Sequence, residues 1–378
     1  MFSGVMSHEH NSPSEEREIC PASTLNRPRP FALPESAPFP TAKRIEFRAP
    51  SARIGLILFV ILATLASFTP RSHAWWDCGH HVIASIAFDK LKPEERALFL
   101  DLLKHHPRYA EDFTVPDALK DDELTANRWR FGAAAYWPDV ARRFPTLSRP
   151  SWHYQLGATL TIGPADQLEL PATPGPLPTS ATLATQDLHI EQAVLLARKA
   201  LVNPRQPKAE KAIALCWLLH LYGDGHQPCH AGSLYTAETF PDGDRGANSI
   251  RIRDSMSIHA IWDSKLGEKS TPEEIRKRTL EIASDWELML FALEKSKSTH
   301  PRAWLHEGRE LARHYVYPVE VLALLPGARK NDRGAVELPP LSEKYHADAD
   351  RIARQQAAIA GTRLHRALRQ LALLMPRD

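Results

Sequence analysis

The stretch Leu218-Leu-His-Leu-Tyr-Gly-Asp-Gly-His-Gln-Pro-Cys-His230 constrains the fold more than any other part of the chain. The run Ala212-Ile-Ala-Leu-Cys-Trp-Leu-Leu219 leading into it reads as a buried helix, which Gly223, Gly225 and Pro228 bring to an end. His220 and Asp224 stand four residues apart on that helix and so share a face. An imidazole and a carboxylate on a buried face are costly unless something binds them, and both are ligand types that suit zinc. A pair of satisfied core polar residues has the same local sequence, so the rest of the chain must decide.

The first 74 residues read as separate from the fold. Residues 1–53 are rich in Pro, Ser and Glu with little periodicity, as expected of a disordered or mis-set N-terminal extension. Lys43, Arg44, Arg48 and Arg53 then precede the apolar run Ile54–Phe68, and Ser72-His-Ala74 follows with small residues suited to a cleavage site. The run is short for a membrane span and right for the core of a signal peptide over 54–74; the alternative is an uncleaved anchor. Cleavage between Ala74 and Trp75 predicts a secreted or periplasmic protein, with no stable membrane association and no implied protein partner. Removing this segment takes eight of 47 basic and six of 45 acidic residues, leaving 39 of each. A neutral chain has no global field to draw in nucleic acid, so any phosphate affinity must be local. Cys78, Cys216 and Cys229 remain, which permits at most one disulfide and does not say which pair forms.

Residues 75–378 suffice for one large domain, and nearly all of it reads as helix. Apolar spacing predicts helices at His81–Leu91, Pro93–His105, 121–143 with an interruption near Pro138, 186–202, 207–223, 257–266, Thr271–Ser296, 301–316 and 342–374. The segment 157–184 reads as a long loop, and Ser249–Arg253 as a short strand. The class is all-α, and no nucleotide-binding glycine loop is present.

Other residues repeat the chemistry of the opening stretch. His259-Ala-Ile-Trp-Asp263 places a second His and Asp four apart. Trp137-Pro-Asp139 and Trp152-His153 each set a potential ligand beside tryptophan, and Trp75-Trp-Asp-Cys-Gly-His80 stands at the expected mature terminus. A free α-amino group and the carbonyl of the same residue can chelate a metal, which ties the cleavage site to the histidines.

With these blocks in this order, the chain resembles the S1/P1 nuclease family of trinuclear zinc phosphodiesterases. The matching elements are Trp75 with Gly79-His80, Trp137-x-Asp139, Trp152-His153-Tyr154, His220-x-x-x-Asp224 with Gln227-Pro-x-His230, His259-x-x-x-Asp263, Asp244-Arg-Gly-Ala-Asn248 and Ala360-Gly-Thr-Arg-Leu364. The resemblance implies a single helical domain of the phospholipase C/P1 nuclease type, with long loops and at most a short β-hairpin. It implies three Zn2+ ions: one held by Asp139, His153, His220 and Asp224, a second by His230, His259 and Asp263, and a third by the amino and carbonyl groups of Trp75 with His80, Asp224 being shared. It further implies hydrolysis of single-stranded DNA or RNA to 5′-phosphate products, possible 3′-nucleotidase activity, and roles for Arg142 and Asn248 at the phosphate and Tyr154 at a base. His226 is left as structural, because the ligand count is complete without it.

Two departures from the family pattern stand out. Ala247 replaces the second glycine of the loop before Asn248, and Leu156 replaces an aspartate that reads the base edge. Two other readings compete. A zinc phospholipase C on a related scaffold is disfavoured by the short Trp75–His80 spacing and by Asp263, where those relatives carry glutamate. A non-catalytic zinc-binding protein would share the ligands but hydrolyse nothing.

Overall fold

The computed structural model describes residues 75–376. The expected extension and signal peptide lie outside the described residues. Among the described residues, thirteen α-helices follow in chain order: α1 Asp77–Lys90, α2 Pro93–Leu103, α3 Tyr109–Asp112, α4 Glu123–Ala141, α5 Ile190–Val202, α6 Lys208–Asp224, α7 Pro228–Ala231, α8 Ile258–Asp263, α9 Pro272–Ala283, α10 Trp286–Lys295, α11 Pro301–Leu311, α12 Val319–Leu324 and α13 Glu343–Leu374. Four short strands accompany them: β1 Gly157–Ile162, β2 Gly232–Thr236, β3 Ile250–Ile252 and β4 Val336–Leu338. The all-α expectation holds.

Helix α6 is buried along nearly its whole length, as its apolar sequence requires. It packs against α4 and α5, while α1 packs against α4 and α13. Their shared core includes Trp75, Val82, Phe88, Phe131, Trp152, Trp217 and Leu364. A second core joins Leu234, Ile250, Trp262, Tyr317 and Val336, from the strands, α8 and the C-terminal part of the chain.

The strand pairing departs from the expected hairpin. β1 pairs with β2 and β3 with β4, both parallel, between segments far apart in sequence. β1 lies inside the stretch read as a loop, because six residues that pair over so long a separation leave no local turn signal. The helix expected over Thr271–Ser296 is two helices: Ser284 ends α9, and the Asp285 carboxylate accepts from the Leu288 backbone N–H at 3.0 Å to start α10. The helix expected over 301–316 changes to a π-turn at Ala312–Val316. Conversely, α4 runs through Pro138 to Ala141.

Candidate metal centre

Histidine and aspartate side chains from α1, α4, α6, α7, α8 and the 3-10 turn Pro150–His153 converge in the core. His80, His153, His220, Asp224, His230, His259, Asp263 and Asp139 are all buried. The closest cluster is His153, His220 and Asp224. Asp224 Oδ2 lies 3.0 Å from both His220 Nε2 and His153 Nδ1, and those two nitrogens are 2.8 Å apart. Four-coordinate zinc with bonds of about 2.0–2.1 Å needs ligand atoms roughly 3.3 Å apart, so the set fits after a small outward relaxation. Asp224 Oδ1 faces the other way, 3.4 Å from His80 Nε2, and the His80 ring stacks on His220 at 4.1 Å between centroids. His80 also groups with Asp139 and His220. A further group joins His230, His259 and Asp263, with His259 Nε2 3.4 Å from Asp263 Oδ2.

The main chain fixes which nitrogen each histidine turns inward. Nδ1 of His220 donates to the Ala135 carbonyl at 2.8 Å, Nδ1 of His230 to the His153 carbonyl at 2.6 Å, and Nδ1 of His259 to the Gly246 carbonyl at 2.6 Å. A carbonyl accepts only, so each ring carries its proton on Nδ1 and directs the Nε2 lone pair to its group. Both ring nitrogens of His80, His153 Nε2, His230 Nε2 and Asp224 Oδ1 have no hydrogen-bond partner. So many orphaned buried polar atoms in one place are costly unless a cation receives them.

Burial also sets the charge states. It pushes His80, His153 and His230 well below the ordinary imidazole value, keeping them neutral and able to ligate. It pushes Asp224 up to about 6, against the favourable pull of His220, and raises Asp263 well above the carboxylate range. Both shifts mark carboxylates short of positive charge.

The N-terminal tryptophans sit beside these groups. Trp75 Nε1 donates to the Gly223 carbonyl at 3.1 Å, and the Trp76 backbone N–H donates to the Asp263 carbonyl at 3.1 Å. Gly223 carries the imidazole of His80 against its α-carbon: a Cβ there would lie 2.8 Å from His80 Nδ1. Gly246 is required twice over, by its φ of 62° and by the Cys229 carbonyl 2.1 Å from where its Cβ would be. The sequence pattern marked Gly223 only as a helix ender and gave no sign of either close approach. Gln227 was likewise visible only as a motif position; its Nε2 donates to Asp263 Oδ1 at 2.6 Å and its Oε1 accepts from the Cys229 N–H at 2.6 Å.

Beside the ligands, Arg142 Nε donates to Asp139 Oδ1 at 2.8 Å, while its Nη2 has no hydrogen-bond partner. Burial opposes its charge, but Asp139, Tyr154 and Asp224 outweigh that cost and hold its pKa above the ordinary value. The Tyr154 ring lies on His230, 4.6 Å between centroids. Asn248 is half-buried and its Nδ2 donates to the Arg245 carbonyl at 3.1 Å. Its loop is left-handed at Arg245, Gly246 and Ala247, so Ala247 takes a conformation that glycine adopts freely. Leu156 is half-buried near Gly246. Cys78, Cys216 and Cys229 are buried free thiols.

A model of the S1/P1 nuclease family matches residues 75–372. The chain belongs to that family. S1/P1 nucleases are zinc enzymes, and the buried imidazole–carboxylate groups described above suit that metal. Endonuclease 4 of Arabidopsis thaliana is 28% identical to this S1/P1 family member over 145 residues, a match that spans 35% of the chain and 44% of that relative. The match thus covers less than half the relative's length. Among the described residues, no helix is long and apolar enough to cross a membrane.

Proposed function

We propose that the protein is a secreted or periplasmic, trinuclear-zinc phosphodiesterase. It hydrolyses single-stranded DNA or RNA to 5′-phosphate products, with 3′-nucleotidase activity on small substrates. The observation that carries this reading is the set of Nε2 and carboxylate atoms turned inward without hydrogen-bond partners, next to an arginine with a free Nη2. Zinc bound by these residues would neutralise the anionic phosphodiester and activate water near neutral pH.

The ligand sets proposed are Asp139, His153, His220 and Asp224; His230, His259 and Asp263; and the main-chain groups of Trp75 with His80. Asp224 offers one oxygen to each of two sets, which suits a shared carboxylate. Arg142 is tethered by Asp139 and keeps Nη2 for a phosphate oxygen, a charge-assisted contact that positions the scissile group. Tyr154 accepts from the guanidinium and presents its ring beside His230, where it would support a base. Asn248, on the strained 244–248 loop, would offer its carboxamide to the phosphate.

The test uses the exported protein. Metal analysis and N-terminal sequencing should give three zinc ions and Trp75 as the first residue. EDTA should abolish hydrolysis of single-stranded DNA and zinc should restore it; activity that survives complete zinc removal sinks the proposal. Faster turnover of a lipid head-group phosphodiester than of single-stranded DNA would assign a phospholipase C-type activity instead. An uncleaved, zinc-replete form working at full rate would refute the role of the Trp75 amino group.

A further inference from the structure

The turn Gly225–Pro228 lies between Asp224 of one ligand group and His230 of the other, and a buried cation grips it from behind. Arg363, on α13, is 1% exposed. Its Nη1 donates to His226 Nε2 at 2.9 Å and to Glu307 Oε2 at 2.9 Å; its Nη2 donates to Glu307 Oε1 and to the Lys295 carbonyl, each at 2.9 Å. His226 Nδ1 donates in turn to the Tyr222 carbonyl at 2.7 Å, one helical turn back on α6. A guanidinium only donates and a carbonyl only accepts, so His226 is fixed as the neutral Nδ1–H tautomer. Its ring packs on Trp304, which the Arg363 guanidinium also overlies.

We infer that Arg363 and His226 form a positioning pair that holds the turn joining the two ligand groups, and thereby sets where Asp224 and His230 stand relative to one another. This rests on the reading of those groups as zinc ligands. Of the Arg363 contacts, those to Glu307 and Lys295 tie helices together, whereas the contact to His226 reaches the turn. The next residue, Gln227, extends the same turn forward to Asp263. Neighbouring side chains of one turn thus tie it to a buried cation behind and to a ligand carboxylate in front. Partners that orient ligands typically change metal affinity 10–100-fold when removed.

The experiment measures zinc affinity of the full exported chain by competition with a chromophoric chelator, beside the melting temperature of the zinc-free protein. H226F keeps a ring on Trp304 but deletes both hydrogen bonds, and should weaken zinc binding by about 10–100-fold. H226Q, whose amide oxygen can accept from Arg363, should recover part of that loss. E307Q weakens the structural ion pair and should lower the melting temperature while leaving zinc affinity as in the wild type. Should H226F not fold without metal, R363K reads the same quantity, because an ammonium retains the charge opposite Glu307 but not the fork that spans to His226. Wild-type zinc affinity in any folded variant lacking the Arg363–His226 bond overturns the inference, as does an equal loss in E307Q. A wild-type chain that binds no zinc overturns the functional reading as well, which separates the two failures.

Discussion

Asp224 is the residue on which the centre turns. One oxygen meets His220 and His153, and the other meets His80. D224N should therefore lose two zinc equivalents by metal analysis, whereas H230A should lose one; equal losses would refute the sharing. At Ala247 the structure shows a penalty that the sequence only hinted at. A left-handed alanine costs about 1–2 kcal/mol, while glycine adds about 0.4–1 kcal/mol of unfolded-chain entropy. The Ala247 methyl is also fully buried, and its loss costs about 0.8 kcal/mol, so A247G should leave stability within about 1 kcal/mol of the wild type, read from denaturant midpoints with unchanged slope; a larger loss would show that the methyl outweighs the backbone strain. The His–Asp pairs that meet in the core were legible because four-residue spacing is a property of the helix itself. The glycines beneath them were not, because a close approach across the fold leaves no local pattern.

At the scale of elements, α6 shows how a helix can be shaped for a neighbour's ligand. Alanine is the better helix former than glycine by about 1 kcal/mol, so G223A would stabilise an isolated α6. In the protein, a Cβ 2.8 Å from His80 Nδ1 forces that ring aside, and overpacking of this kind costs about 1–3 kcal/mol. G223A should accordingly melt at a lower temperature and carry less zinc; a gain in stability would show that His80 is not held there. The helices were legible from apolar spacing and caps except at Asp285, whose capping role was hidden in a continuous helical pattern. The strands were less so: β1 and β4 pair with segments distant in sequence, and three to six residues carry too little alternation to be distinguished from loop. Pro138 pointed to a break that the surrounding helices override.

For the whole molecule, the buried histidines decide the response to acid. Burial holds His80, His81, His106, His153, His226, His230, His346 and His365 below their ordinary value of 6.5, so below that pH the unfolded chain takes up protons that the fold does not. Asp224, Asp244, Asp263 and His220 are raised and oppose this, since the fold keeps their protons at a pH where the unfolded chain has released them. The eight outnumber the four. Zinc-free protein should lose stability as pH falls from about 6.5 towards 4, measured as a falling urea midpoint; a midpoint that rises over this range would contradict the assignment of neutral histidines. Zinc affinity should fall over the same range, because the protons that the fold keeps on His220, Asp224 and Asp263 must leave before those groups can ligate. The fold class and family were legible in the sequence because ligand blocks recur in order from Trp75 to Asp263. How those blocks meet was not, because it depends on main-chain groups. Three of the clustered rings are aimed by peptide carbonyls, at Ala135, His153 and Gly246, and no point substitution can delete a carbonyl. Mutational drift around the centre can then proceed without disorienting it, provided the path of the main chain is kept. Saturation mutagenesis scored by zinc retention should find intolerant positions, beyond the proposed ligands, at residues that shape the path of the chain, Gly246 above all, and at Ala135 it should tolerate small side chains but not large ones, which would overpack the core and move the carbonyl.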